Sequence, residues 1–287
     1  MREVDITWRA LRSDLNTTLL PIGLFVAAAA SVKPGIEPFE WFRLIALSQL
    51  YALPYIAWFC FSGQAGSVEE DRVEKPFRPL PRGLLSVRGA LVRAGIWSLV
   101  YLAISAVLGV LPWAVLWLVA GGYHNLGGGH RHWLTKNTLT MSLGTAAQLG
   151  AGWTLVHGNF SPSGLTFTVG MSVWVGIMAN IQDFRDVEGD VRSGRRTLPV
   201  LLGDRARWAM ATAAAVLGLI TPAVLSSLHD GTAARLFALT LGAWQVWIGW
   251  RLLAFRDRAS DDRTYKLHLS LWYCAALAGA ALYLEAP

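Results

Sequence analysis

The sequence predicts an all-α integral membrane protein, a bundle of nine transmembrane helices in a single domain over residues 1–287. Three observations lead there. Of the 287 residues, 54% are hydrophobic and only 15% are charged, with 14 Trp, a make-up foreign to soluble domains. Apolar stretches able to cross, or nearly cross, a bilayer core of about 30 Å recur along the whole chain. Lys and Arg crowd into alternate connections between them.

Element by element, Met1 to Asp14 carries mixed charge and reads as an amphipathic surface helix over 3–14, with no cleaved leader expected. The predicted spans are 17–33, 40–62, 90–110, 112–126, 136–157, 163–182, 207–227, 233–254 and 266–284. Only Gly109 to Pro112 separates the third span from the short fourth. Residues 33–38, 158–163 and 229–231 are short connections carrying Pro, Gly or Asn. Cys60 and Cys274 lie in apolar runs, where a thiol behaves as a small buried hydrophobe. Trp41, Trp58, Trp97, Trp113, Trp117, Trp153, Trp174, Trp244, Trp247, Trp250 and Trp272 lie in or beside spans, mostly as packing or interface anchors, with a minority facing the interior.

One side of the membrane collects Arg2, Arg9, Arg12, then Arg72 to Arg88, Arg131, Lys136, Arg185 to Arg207, and Arg256 to Lys266. The opposite connections hold Lys33, with Arg43 and Arg235 at nearby helix ends. The positive-inside rule then places the N-terminus and the long polar loops in the cytoplasm, and an odd number of spans places the C-terminus outside. The net charge of +6 is therefore explained by orientation in a membrane, and no nucleic-acid partner is expected.

Chemistry concentrates in two acidic segments on that cytoplasmic side, SVEEDRVEKPFRP (67–79) and NIQDFRDVEGD (180–190). Carboxylates bunched beside apolar spans are costly unless a cation or a polar cavity holds them. Each segment runs straight into basic residues, Lys75, Arg78 and Arg82 in the first case and Arg192, Arg195 and Arg196 in the second. Acid to hold a metal beside base to hold an anion points to a metal-bound, highly charged ligand.

Asp183, Asp186 and Asp190 are spaced i, i+3 and i+7, one stripe of a continuing helix, and three oxygen-ligand side chains select a hard cation such as Mg²⁺. In the first segment Gly63, Ser67, Glu70 and Asp71 share a helical face, with Glu69 turned away. Pro76 stops that helix, leaving Lys75 and Arg78 on a loop that folds over the site. A solvated acidic helix end and lipid-facing cations are the plainer readings of the two patterns. After the fourth span, Gly127 to Gly129 suit a backbone approach to phosphate or a hinge, whereas His130 and His132 lack the further ligands a zinc site needs. Two halves with matching acidic segments suggest internal duplication.

The strings EEDRVEKPFRPLPRG and QDFRDVEGDVRSGRRTLP, in this order with their basic tails, resemble the UbiA superfamily of intramembrane prenyltransferases and their terpene-cyclising relatives. The resemblance spans essentially the whole chain. It implies a helical bundle with a central cavity capped on the cytoplasmic side, where a prenyl diphosphate binds through Mg²⁺ between the motifs and ionises to a carbocation. Where that family's first motif has Asn, Asp and Asp, this chain has Gly63, Ser67 and Asp71, while Asp183, Asp186 and Asp190 match the second motif in full. The loop usually carrying a lysine reads Gly194, Arg195, Arg196, Thr197, which keeps the charge and adds a phosphate-matching fork.

By that resemblance Asp71, Asp183, Asp186 and Asp190 are the catalytic acids. Two or more Mg²⁺ would be held by them with Glu70, or Glu69 in its stead. Lys75, Arg78, Lys136, Arg195 and Arg196 would bind the diphosphate, with Arg72 and Arg131 as further candidates. Ser67, Tyr123, Asn125 and Asn180 belong to the lid or cavity. The strings SVEED and YHNLGG lie nearer the terpene-cyclase branch and favour cyclisation. Two alternatives stand beside it, transfer of the prenyl group to an aromatic or lipid acceptor and, from another class, ion or lipid transport.

Overall fold

The computed structural model describes residues 2–287, apart from the side chains of Val73 and Glu74; Met1, the first residue of the expected surface helix, lies outside them. Among the described residues there is helix and no strand beyond a single parallel bridge, His132 to Arg196.

Helix α1 (Arg2–Leu11) buries Ile6, Ala10 and Leu11 and exposes Trp8, the one-sided burial of a surface helix. A bend of 77° separates it from α2 (Asn16–Ser31). Then come α3 (Pro38–Gly66) and the short α4 (Val68–Glu74), followed by α5 (Val87–Val107) and α6 (Leu111–Asn125). Gly109, at φ +73°, makes the tight turn between the last two that L-side chains resist. A π-helical turn, Leu134–Leu139, leads into α7 (Thr140–His157), and α8 (Pro162–Met178) tightens into a 3₁₀ turn, Ala179–Phe184. Short helices α9 (Val187–Arg192) and α10 (Leu198–Leu202) precede the long pair α11 (Arg205–Leu228) and α12 (Thr232–Ala254). The chain closes with α13 (Arg258–Arg263), a second π turn, Thr264–Leu269, and α14 (Ser270–Ala278).

Every predicted apolar stretch falls on helix. Among the described residues five helical segments are long and apolar enough to cross a membrane: Pro38–Gly66, Val87–Val107, Pro162–Phe184, Arg205–Leu228 and Thr232–Ala254. The bent α1–α2 pair makes a sixth if taken as one. The remaining apolar stretches are short, as in α6, or interrupted by π turns, as in α7 and α14.

Small residues bring the helices together, the usual device where lipid on the outside is as apolar as the core. Gly218 and Gly242 let α11 and α12 touch backbone to backbone: a Cβ on Gly242 would lie 2.5 Å from the Gly218 carbonyl oxygen. Elsewhere glycine receives tryptophan. Trp117 lies over Gly144, Trp113 over Gly150 and Trp153 over Gly164, each nearer than 3 Å to where a Cβ would be. Trp153 and Trp272 are fully buried, whereas Trp247 and Trp250 face outward, so packing accounts for several tryptophans. Tyr55 stacks on Trp117 at 4.5 Å and Trp174 on Trp272 at 4.2 Å, which lines the interior with ring faces.

Gly242→Ala is expected to destabilise the protein by about 1–3 kcal/mol, because backbone rather than a flexible side chain opposes the new methyl. Gly95→Ala, whose Cβ meets nothing within 4 Å, is the control expected to be neutral. Melting curves in detergent check both, and equal behaviour would refute the close α11–α12 contact.

Candidate active site

The two acidic segments meet at one end of the bundle, and each of their described carboxylates lies on a cation. The reason lies in local helix breaks. At the end of α8, Asn180 Nδ2 donates to the carbonyls of Gly176 and Ile177 at 3.1 and 3.0 Å, occupying acceptors of the last α-turn where the chain tightens to 3₁₀. Asp186, at φ −105° and ψ 8°, then starts α9 in a new direction. The expected continuing stripe of Asp183, Asp186 and Asp190 is therefore not formed. Asp183 and Asp190 are buried and converge on Lys136, while Asp186 stays partly exposed beside Arg185.

Asp183 is the most enclosed of these acids. Its Oδ1 accepts from Lys136 Nζ at 2.7 Å and its Oδ2 from Asn137 Nδ2 at 2.7 Å. Lys136 and Asn137 both sit on the π turn before α7, whose widened pitch presents consecutive side chains to one partner. Gln182 donates to Asn137 Oδ1 at 2.6 Å and completes the chain. Asp190 lies 3.8 Å from Lys136 and 3.3 Å from Arg195, but its Oδ2 is buried without a partner among the described residues. That orphan oxygen suits a metal ligand.

The first segment breaks too. Ser67, at φ −129° and ψ 27°, ends α3, so Gly63 and Asp71 lie on different helices and do not share the expected face. Asp71 is buried and takes Arg78 Nη1 on both oxygens at 2.9 and 3.0 Å. Glu70 is gripped by both terminal nitrogens of Arg195, which joins the first segment to the second across 125 residues. Glu69 is exposed and paired to Arg72 at 2.7 Å on the surface. At Gly63 a Cβ would meet Asn125 Oδ1 at 3.1 Å, so Asn125 fills the space of the missing side chain, donating to Phe59 O and Ser62 Oγ.

Between the segments opens a cleft of about 330 Å³ lined by Ser67, Glu70, His130, Arg131, Ser193 and Arg195, among others. The loop after α6 is stitched to the loop after α9: Arg196 N donates to Arg131 O at 2.7 Å and Trp133 N to Arg196 O at 3.1 Å. The side chains of Arg131, Arg196 and Tyr123 are exposed around this rim, and Lys75 is half-buried near Asp14.

Four contributors were not read from the sequence: Asp14, Asn137, Arg185 and Asp262. Arg185 donates to Asp262 at 2.6 Å and lies over the Tyr265 ring at 4.8 Å. His130 Nδ1 lies 2.9 Å from the His124 carbonyl oxygen, to which it donates; burial first, with Arg195 and Arg131 adding to it, holds the ring below its ordinary pKa. Among the described residues no three acidic, Cys or His side chains already converge as a preformed metal cage. Acids and bases are instead interleaved.

A profile of the UbiA prenyltransferase family matches residues 18–280. The chain belongs to that family. It is 35% identical over 284 residues to the somaliensene A/B synthase of Streptomyces somaliensis, covering 98% of this chain and 93% of that protein. Two Hericium erinaceus proteins are each 32% identical: diterpene cyclase eriG (98% of this chain, 89% of that one) and polyprenyl transferase eriF (93% and 90%). Among solved structures, a UbiA homolog from Archaeoglobus fulgidus bound to GPP and Mg²⁺ superposes with a TM-score of 0.69 at 14% identity, covering 95% of this chain and 99% of that one. The protein is thus an integral membrane enzyme of this family, with terpene cyclases and a prenyltransferase among its relatives.

Burial pushes the Asp71 carboxyl above its ordinary value of 3.8, and the Arg78 guanidinium opposes that shift. A raised pKa means that the ionised, cation-binding form is lost on acidification at a pH above that of a free aspartate. Divalent-cation affinity is accordingly expected to fall through a midpoint above 3.8, and Arg78→Met, removing the opposing charge, to move that midpoint higher. Calorimetric titration across pH reads it; a midpoint shifted downward in Arg78→Met contradicts the assignment.

Proposed function

We propose that this protein ionises a prenyl diphosphate with Mg²⁺ and closes the resulting carbocation on the substrate's own alkenes to give a terpene. The observation that carries the reading is the match over nearly the full chain to two terpene-forming relatives at 35% and 32% identity. The interleaved acids and bases between the motifs support it, because the same pairs can serve a metal diphosphate by exchanging partners.

The residues present suit Mg²⁺. Glu70 and Asp71 on one side and Asp183 and Asp190, with Asp186, on the other are the oxygen donors that would hold it, and Asp190 already has an oxygen to spare. Bound there, the ion would supply charge neutralisation to the leaving diphosphate. Everything else falls to the chain. Lys136 and Arg195, half-buried at the boundary of the apolar bundle, turn from carboxylates to phosphate oxygens as these appear. Arg78 does the same in the first segment, with Lys75, Arg196 and Arg131 at the rim. The C–O bond breaks with both electrons going to diphosphate, an alkene of the chain attacks the cation, and loss of a proton or capture of water ends the sequence.

Water exclusion falls to the bundle beneath, where Tyr55 and Trp117, and Trp174, Trp272 and Tyr273, present stacked rings to the interior. Nine crossings, a cytoplasmic N-terminus and site, and an external C-terminus complete the proposed arrangement. Prenyl transfer to an acceptor is the second reading, and the eriF likeness favours it.

Purified protein given Mg²⁺ and a ten-, fifteen- or twenty-carbon prenyl diphosphate alone is expected to release diphosphate together with a hydrocarbon or terpene alcohol. Product formed solely when an aromatic or lipid acceptor is added would establish transfer instead. Asp183→Ala is expected to lower turnover by at least about 100-fold while the protein still melts cooperatively in detergent; retained activity would remove Asp183 from the machinery.

A further inference from the structure

A carboxylate outside both acidic segments anchors the first half of the site. Asp14 occupies the turn between α1 and α2, and its Oδ2 accepts from Arg78 Nη2 at 3.1 Å and from Ser13 Oγ at 2.6 Å. Arg78 is only 8% exposed and its other terminal nitrogen, Nη1, is committed to Asp71. Its third nitrogen, Nε, is buried and has no acceptor among the described residues. One guanidinium thus bridges a motif carboxylate and a remote one while keeping a donor unspent.

The turn is held firmly enough for this to matter. Gln64 of α3 donates to the Ala10 carbonyl at 2.9 Å, and Arg93 of α5 grips Glu3 at 2.6 Å, so α1 is fastened beside the first segment at both ends. Arg12 lies over the Phe77 ring at 4.1 Å, next to Arg78 itself. The second half repeats the device: Arg185 joins Asp186 at 3.3 Å to Asp262 at 2.6 Å, and Asp262 lies outside the motifs.

We infer that Asp14 is a positioning residue that keeps Arg78 in the site while Asp71 leaves it for Mg²⁺, so that Nη1 and Nε are delivered to the diphosphate. This rests on the function proposed above. Without a second anchor, an ion entering at Asp71 would strip a buried guanidinium of its sole partner, which costs far more than exchanging one of two. With Asp14 in place the cation stays paired throughout, and its planar fork stays aimed. Burial opposes the charge on Asp14, but Lys75 and Arg78 outweigh it and hold the carboxyl below its ordinary pKa.

The test uses the full chain in detergent, with inorganic pyrophosphate titrated calorimetrically at saturating Mg²⁺ and kcat and KM measured on a prenyl diphosphate. Asp14→Asn, with Asp14→Ser as a second variant should the first fold poorly, is expected to raise the pyrophosphate Kd about 10- to 100-fold. KM should rise with it, and Asp14→Glu should recover most of the loss. A variant that melts earlier and turns over less, but binds pyrophosphate as the parent does, would make Asp14 merely structural and overturn the inference. Failure of the parent itself to bind pyrophosphate would overturn the diphosphate reading, and this inference with it.

Discussion

A carboxylate taken out of water beside a lipid-facing helix costs several kcal/mol unless a cation sits on it. In this protein that requirement organises the entire polar end of the bundle. Asp71 needs Arg78, Asp183 needs Lys136, Glu70 and Asp190 share Arg195, and Asp186 shares Arg185 with Asp262. Each pair also ties together elements far apart in sequence. The 125-residue reach from Glu70 to Arg195 holds the first half against the second, and the loop carrying Lys136 is clamped to the loop after α9 by the hydrogen bonds between Arg131, Trp133 and Arg196.

These ion pairs form a set that can be redistributed. Under the proposed function, a prenyl diphosphate with Mg²⁺ would offer anionic oxygens to the arginines and lysine and a cation to the carboxylates. Every buried charge can then exchange one opposite partner for another without standing alone, which keeps the penalty of substrate entry small. Below them the bundle is apolar and lined with ring faces. Glycines let tryptophan rings pack closely between helices, as the contacts of Trp117 on Gly144 and Trp153 on Gly164 show.

The helices themselves were legible because length and apolarity suffice to find a membrane helix, and all the predicted stretches fall on helix. What the residue spacing could not reveal is where a helix stops being regular. The i, i+3, i+7 reading of Asp183, Asp186 and Asp190 assumed an unbroken ladder, but Asn180 captures carbonyls of α8 and the chain turns at Asp186. Ser67 breaks the first stripe likewise. The pairing of the two acidic segments with basic residues was recognisable, since charge beside lipid demands a partner. Asp14 and Asp262 were not, because their arginines lie 64 and 77 residues away and neither acid belongs to a repeated pattern.

A structure of the protein with Mg²⁺ and a non-hydrolysable prenyl diphosphate analogue tests partner exchange among these pairs most directly. Arg195 and Lys136 should then be found on diphosphate oxygens, with Glu70, Asp183 and Asp190 turned to the metal. The analogue bound elsewhere, with the Lys136–Asp183 and Arg195–Glu70 pairs intact, would contradict the account.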